Sequence, residues 1–125
     1  MAGQTGDAAS GLDRDKVWRE FRETVNMSPA ELERWLRTEE SRTAGWPENV
    51  GGETVGHHSG RRIIAVKHKR KDELTDDDYR HMRKVVGFIH RHMAQGGPSR
   101  DKVHSRWRYS LMNWGHDPLK HSPIT

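Results

Sequence analysis

Basic side chains recur at helical intervals between residues 76 and 95, opposite an apolar stripe. Arg80, Lys84 and Arg91 stand at i, i+4 and i+11, with Gly87 at i+7 between the last two. Cations on one helix face bind a polyanion by neutralising phosphates and releasing their counterions. Gly87 leaves a gap in the stripe where a phosphate backbone or another helix could come close. An ordinary solvated helix face is the alternative interpretation of the same pattern.

More cations precede this stripe, between residues 61 and 71. The full set that we predict to contact nucleic acid is Arg61, Arg62, Lys67, Lys69, Arg70, Arg80, Lys84 and Arg91. No motif for reading bases is present, so we expect phosphate contacts with little sequence preference. The switch from KHKRK to DELTDDD also fits the negative end of one helix dipole followed by the positive end of the next.

Charge is distributed unevenly along the chain. Residues 1–58 carry 7 Lys/Arg and 11 Asp/Glu, whereas residues 59–125 carry 15 and 7, for a net charge of +4. A basic half favours a polyanionic partner, either a nucleic acid or an anionic membrane surface. No apolar run approaches the roughly 20 residues of a membrane span, and the start of the chain lacks the features of a secretory signal. We therefore expect DNA as the partner, and a cytoplasmic or nucleoid location.

Metal binding and catalysis find little support in the residue types. The chain has nine histidines and no cysteine, and only the pair Asp77 and His81, at i and i+4, is spaced to share a metal ion. Zinc needs three or four converging ligands. No Gly-rich phosphate loop, nucleophile elbow or zincin pair is present. We predict no metal, no cofactor and no enzymatic activity.

Five segments with helical periodicity would position these residues. They cover residues 13–26, 27–41, 59–71, 76–95 and 102–114. Ser28 and Thr75 are the clearest predicted caps, and Ser59 is the cap predicted for the third helix. The apolar run at residues 63–66 also fits a strand, but no second strand is evident to pair with it. Residues 42–58, rich in Gly and Pro, are predicted to be a loop.

The last segment interleaves aromatic and basic residues. Trp107, Leu111 and Trp114 share one helical face, which favours a place in the core. Tyr109, Arg106 and Arg108 point elsewhere and are predicted to be free to contact a partner. The apolar side chains are few, since Leu, Ile, Val and Phe number 20 of 125, but five Trp compensate in buried area. We predict an all-α single small domain of about five helices over residues 13–120, with a disordered tail at residues 1–12 and a short tail at 121–125.

Four blocks of the sequence resemble a known family. In chain order they are NMSPAELERWLRTEES, GGETVGHHSGRRI, LTDDDYRHMRKVVGFIHRHMAQ and WRYSLMNWGHDPLK. From about Lys16 to Lys120 the chain resembles the domain of unknown function 3140, found in bacteria and fungi. Some members of this family are labelled DNA-binding without an established mechanism. The resemblance therefore implies no catalytic or binding residues.

A protein–protein interaction module of regulatory or stress type is the alternative function. The acidic N-terminal half of the chain would then pair with the basic half of a partner or of a second copy, as a homodimer.

Overall fold

The computed structural model describes residues 13–44 and 54–120, and helices are the only regular secondary structure in this part of the chain. Its α-helices are α1 (Arg14–Thr24), α2 (Pro29–Leu36), α3 (Glu39–Thr43), α4 (Val55–Lys67), α5 (Asp76–Gln95) and α6 (Arg106–Asn113), with a 3₁₀ turn at Lys71–Glu73. The prediction of an all-α single domain is confirmed. The predicted tails at residues 1–12 and 121–125, and most of the predicted 42–58 loop, lie outside the described residues.

Local capping signals define the starts of the helices. Ser28 Oγ accepts from the Glu31 N–H at 3.1 Å, and the Ser28 N–H donates to the Glu31 carboxylate at 2.8 Å. Thr75 makes the equivalent reciprocal pair with Asp78 at the start of α5. Both predicted caps are confirmed. They can be predicted from sequence because each uses donors and acceptors only three residues apart.

Three of the predicted helices have wrong boundaries. Helix α4 begins at Val55 behind Thr54, whose side chain accepts from the His57 N–H at 3.1 Å, so Ser59 is a buried interior residue and not the cap. The predicted helix over residues 27–41 is two helices, because α2 ends at Leu36 and Thr38 then caps α3 through the Ser41 N–H. The last helix begins only at Arg106, behind Ser105.

A single apolar core joins the helices. Helix α1 packs along α5, α2 packs against α4, and α6 contacts α2, α3 and α4. Most of the predicted apolar stripe of α5 lies in this core, namely Tyr79, Met82, Val85, Val86 and Ile89. The last member of the stripe, Met93, is 39% exposed. Leu111 and Trp114 are buried, and Trp107 packs against the core while donating to the His92 carbonyl at 2.9 Å.

The prediction that Tyr109, Arg106 and Arg108 are free to contact a partner is wrong. The Arg108 guanidinium forms a two-point ion pair with Asp117, with both N–O distances at 3.0 Å. The Tyr109 ring lies 5.4 Å from the ring of Trp35. Arg106 donates to the Thr43 carbonyl at 3.2 Å. These side chains hold the C-terminal segment onto the domain, which helical periodicity alone does not reveal.

Asn113 forms a buried polar centre between α2, α3 and α6. Its side chain is almost fully enclosed, with an exposure of 1%. Its Oδ1 accepts from Trp35 Nε1 at 2.8 Å and from Ser41 Oγ at 2.5 Å, while its Nδ2 donates to the Ser41 carbonyl at 3.0 Å. The amide of α6 thereby satisfies polar groups of α2 and α3 at one point.

Gly60 allows α4 to approach α2 and α6 closely. A Cβ at this position would lie 2.6 Å from the Asn113 carbonyl oxygen and 2.8 Å from Leu36 Cδ2. We expect Gly60→Ala to lower the free energy of unfolding by about 1–3 kcal/mol, although alanine favours helix more than glycine. Chemical denaturation measures this change.

Gly87→Ala is the matched control in a helix interior. A Cβ there would meet only the mobile end of Arg91, at 3.1 Å, so the intrinsic preference for alanine should raise stability by about 0.5–1 kcal/mol. Equal effects of the two substitutions would show that close packing at Gly60 is unimportant.

Candidate nucleic-acid interface

The basic stripe of α5 lines an open groove beside α1. Arg80, Arg83, Lys84, Gly87 and Arg91 form one side together with Val86, and Glu20 of α1 also lines it. The groove encloses about 590 Å³. The structure therefore brings together the three stripe cations that the spacing predicts.

Lys84 and Arg91 are the available charges in this groove. Both are exposed, and neither makes an ion pair or hydrogen bond within the described residues. Arg80 pairs with Asp77 at 2.9 Å, but both side chains are well exposed, and such surface pairs contribute only about 0–1 kcal/mol. An incoming phosphate can therefore replace Asp77 at little energetic cost.

The length of the stripe suits a row of phosphates. Arg80 and Arg91 are eleven positions apart, which corresponds to about 16 Å along the helix axis. A duplex rises 3.4 Å per base step along each strand, so the stripe covers about five steps. Gly87 has no side chain to obstruct the approach, and the Arg91 guanidinium lies close to it.

Two other predicted contact residues belong to the joint between α4 and α5. Lys69 Nζ lies 2.6 Å from the buried carboxylate of Asp78, and Arg62 lies 3.7 Å from it. Burial acts to raise the pKa of Asp78, but the Lys69 ammonium and the Thr75 amide oppose this and hold the pKa below its ordinary value. Both cations therefore have a structural partner inside the protein.

The remaining predicted contact residues, Lys67, Arg70 and Arg61, lie in three different environments. Lys67 is half-buried and donates to the Met27 carbonyl at 3.1 Å, and burial lowers its pKa, with Arg22 and Lys120 acting in the same direction. Arg70 is 77% exposed beside Asp72 and Glu73. Arg61 lines a separate groove with other residues of α2 and α4. The predicted set of eight thus does not form one surface.

Asp77 and His81, the pair whose spacing would allow a shared metal ion, contact different partners. The Asp77 carboxylate faces Arg80, whereas His81 Nε2 lies 3.4 Å from Ser59 Oγ. Over residues 13–44 and 54–120, no group of three potential metal ligands converges. Burial lowers the pKa of His81 from 6.5 to about 4, and the nearby charges of Arg62 and Lys84 add to this.

His81 should make stability dependent on pH. Its pKa is lower in the folded protein, so the unfolded chain binds more protons below pH 6.5, and stability falls as the pH decreases towards 4. Between pH 7 and pH 5 we expect this histidine to account for a loss of about 2 kcal/mol. Urea unfolding of the wild type and of His81→Leu at both pH values measures the difference.

The exposed His90 of the same helix provides the control. His90→Gln should retain the pH dependence of the wild type, whereas His81→Leu should reduce it. An unchanged pH dependence in His81→Leu would contradict the role of the buried imidazole.

One known protein family matches most of the chain, from within α1 to within α6. A family model described as "Protein of unknown function (DUF3140)" matches residues 20–112, which is well over half of the chain. The chain belongs to this family. No curated protein and no solved structure matches the chain. In the described part of this DUF3140 protein, no helix combines the length and apolarity required to cross a membrane.

Proposed function

We propose that this DUF3140 protein binds double-stranded DNA by its phosphates, with little sequence preference. The observation that carries the proposal is the position of two exposed cations, Lys84 and Arg91, on either side of Gly87 in one groove. Neither cation makes an ion pair within residues 13–44 and 54–120. In this proposal the protein is a DNA-binding protein and not an enzyme. It is located in the cytoplasm, on the nucleoid.

The contact surface in this proposal is smaller than the set predicted from sequence. Arg80, Lys84 and Arg91 provide the central contacts, and Arg70 is exposed enough to add another. Arg62, Lys67 and Lys69 hold the fold together, so their substitution should affect stability more than DNA affinity. Arg61 lies in a different groove and is not part of the central surface.

The salt dependence of binding tests the proposal. We expect fluorescence anisotropy with a short duplex to show an affinity that falls steeply with salt. Replacing Arg80, Lys84 and Arg91 together by Ala should reduce the slope of log affinity against log salt by about 2.7, at 0.9 per phosphate contact. Duplexes of different sequence should bind with similar affinity.

Arg34→Ala serves as the control, because Arg34 is exposed on α2, which does not pack on α5. It should leave the slope nearly unchanged, and circular dichroism should show equal helicity for all variants. An absence of duplex binding at low salt would overturn the proposal. A salt-sensitive dimer that ignores DNA, seen as a change in elution size, would instead support the protein–protein interaction module.

A further inference from the structure

A second cavity, of about 430 Å³, lies where α4, α5 and α6 meet. Val55 and Gly56 of α4, Phe88 of α5 and Trp114 after α6 form much of its wall. Lys84 and Arg91 also line it, so these two exposed cations separate the cavity from the groove beside α1. The cavity thus combines an apolar wall with positive charge.

The buried side chain of Trp114 presents a hydrogen-bond donor to this cavity. The residue is only 6% exposed, and its indole N–H has no acceptor within the described residues. No fully enclosed side-chain nitrogen or oxygen in that part of the chain lacks a partner, so the N–H must reach open space. The space that Trp114 lines is this cavity. A donor that opens into a cavity and has no protein acceptor is normally satisfied by a water molecule or a ligand.

The first turn of α4 supplies two further donors. In this 13-residue helix, the Thr54 side chain accepts from the His57 N–H and the Thr54 carbonyl accepts from the His58 N–H. The amides of Val55 and Gly56 have no acceptor in the described chain. The first turn also contains no acidic side chain. Free amides and the positive end of the helix dipole favour an anion at this position.

Gly56 keeps the indole donor accessible. A Cβ there would lie 3.2 Å from Trp114 Nε1 and 3.4 Å from Asn113 Cβ. Any side chain at position 56 would therefore cover the N–H that faces the cavity. This close approach also gives a reason for a glycine in the first turn of a helix.

The aromatic wall favours a compact apolar group over a stacked base. Phe88 stacks on Trp114 at 4.3 Å and on His92 at 5.0 Å, so both faces of the Phe88 ring are occupied. The ring edge and the Val55 side chain, which is 39% exposed, remain to contact a ligand. A flat base that requires a free ring face is therefore a poor fit.

We propose that this cavity binds a small organic anion with an apolar body. Its carboxylate or phosphate group accepts from the Trp114 indole N–H and from the amides of Val55 and Gly56, while Lys84 and Arg91 neutralise its charge. The apolar body contacts Val55 and the edge of Phe88. This site shares Lys84 and Arg91 with the proposed DNA surface, but its N–H donors and its apolar wall lie outside that surface, so it does not require DNA binding.

Titration of the ¹⁵N-labelled full-length protein with small probes tests this site by NMR. Trp114→Phe identifies the Trp114 peak among the indole N–H signals of the five tryptophans. Benzoate and phenyl phosphate should each shift this peak in a saturable manner, and the tighter of the two identifies the preferred head group. Inorganic phosphate should bind at least about tenfold more weakly because it lacks the apolar body. Benzyl alcohol, which lacks the charge, should leave the peak in place.

Three substitutions should weaken binding of the tighter probe. We expect Lys84→Ala and Arg91→Ala each to reduce its affinity about tenfold, the effect of losing a charge-assisted contact of roughly 1.4 kcal/mol. Gly56→Ala should reduce it at least as much, and Arg34→Ala should have no effect. A Trp114 peak that neither anion moves would overturn the site. So would a response to benzyl alcohol equal to that to benzoate, or full affinity in both Lys84→Ala and Arg91→Ala. None of these results involves DNA, so the site can fail while the DNA surface stands.

Discussion

Asn113→Ala should lower the free energy of unfolding by about 3–5 kcal/mol, the largest effect on stability that we expect from a single substitution. The change leaves Trp35 Nε1, Ser41 Oγ and the Ser41 carbonyl without their partner. Each buried polar group that loses its hydrogen bond costs about 1–3 kcal/mol. Rotation of the Ser41 hydroxyl and entry of water offset part of this sum. Urea unfolding followed by circular dichroism measures the change.

A double-mutant cycle with Ser41→Ala separates the hydrogen bonds from simple loss of volume. If the amide acts mainly by satisfying Ser41, the double variant should lose clearly less stability than the two single variants together. Ser110→Ala, on the same helix but not in this network, should change stability by less than about 0.5 kcal/mol. Strict additivity of the two single losses would contradict a shared network.

The parts of the fold that the sequence predicts correctly are those governed by neighbouring residues. The caps at Ser28 and Thr75 and the apolar stripe of α5 depend on spacings of three or four residues, which are visible in the chain. The predicted start of α4 is too late because Gly56, like the other Gly and Pro of residues 42–58, indicates a loop. Gly56 lies where a Cβ would approach Asn113 and Trp114, and that tertiary reason has no local signal.

The same distinction applies to the candidate sites. The spacing of Arg80, Lys84 and Arg91 predicts a common helix face, and the structure places them in one groove. The spacing of residues does not predict that Lys69 and Arg62 pair with Asp78, because that pairing depends on the turn between α4 and α5. Asn113 and the cavity beside Trp114 depend on contacts between distant segments, so periodicity could not reveal them.

Reversing both central charges of the groove should have the largest effect on DNA affinity. Each phosphate contact contributes a factor of about eight between 1 M and 0.1 M salt, at a slope of 0.9 per contact. Loss of the contacts at Lys84 and Arg91 should therefore weaken duplex binding about 60-fold at 0.1 M salt. The new carboxylates of Lys84→Glu/Arg91→Glu also repel phosphates, so we expect a loss of at least about a hundredfold. Anisotropy titrations at constant salt measure it.

A variant with the same change in net charge separates local contacts from the overall field of the protein. Arg34→Glu/Arg37→Glu reverses two exposed charges at the C-terminal end of α2, a helix that does not pack on α5. If binding depends on phosphate contacts in the groove, this control should lose only a few-fold in affinity, because charges beyond about 10 Å are largely screened at 0.1 M salt. Equal losses in the two double variants would show that the protein attracts DNA only through its net charge. The groove between α1 and α5 would then have no special role in binding.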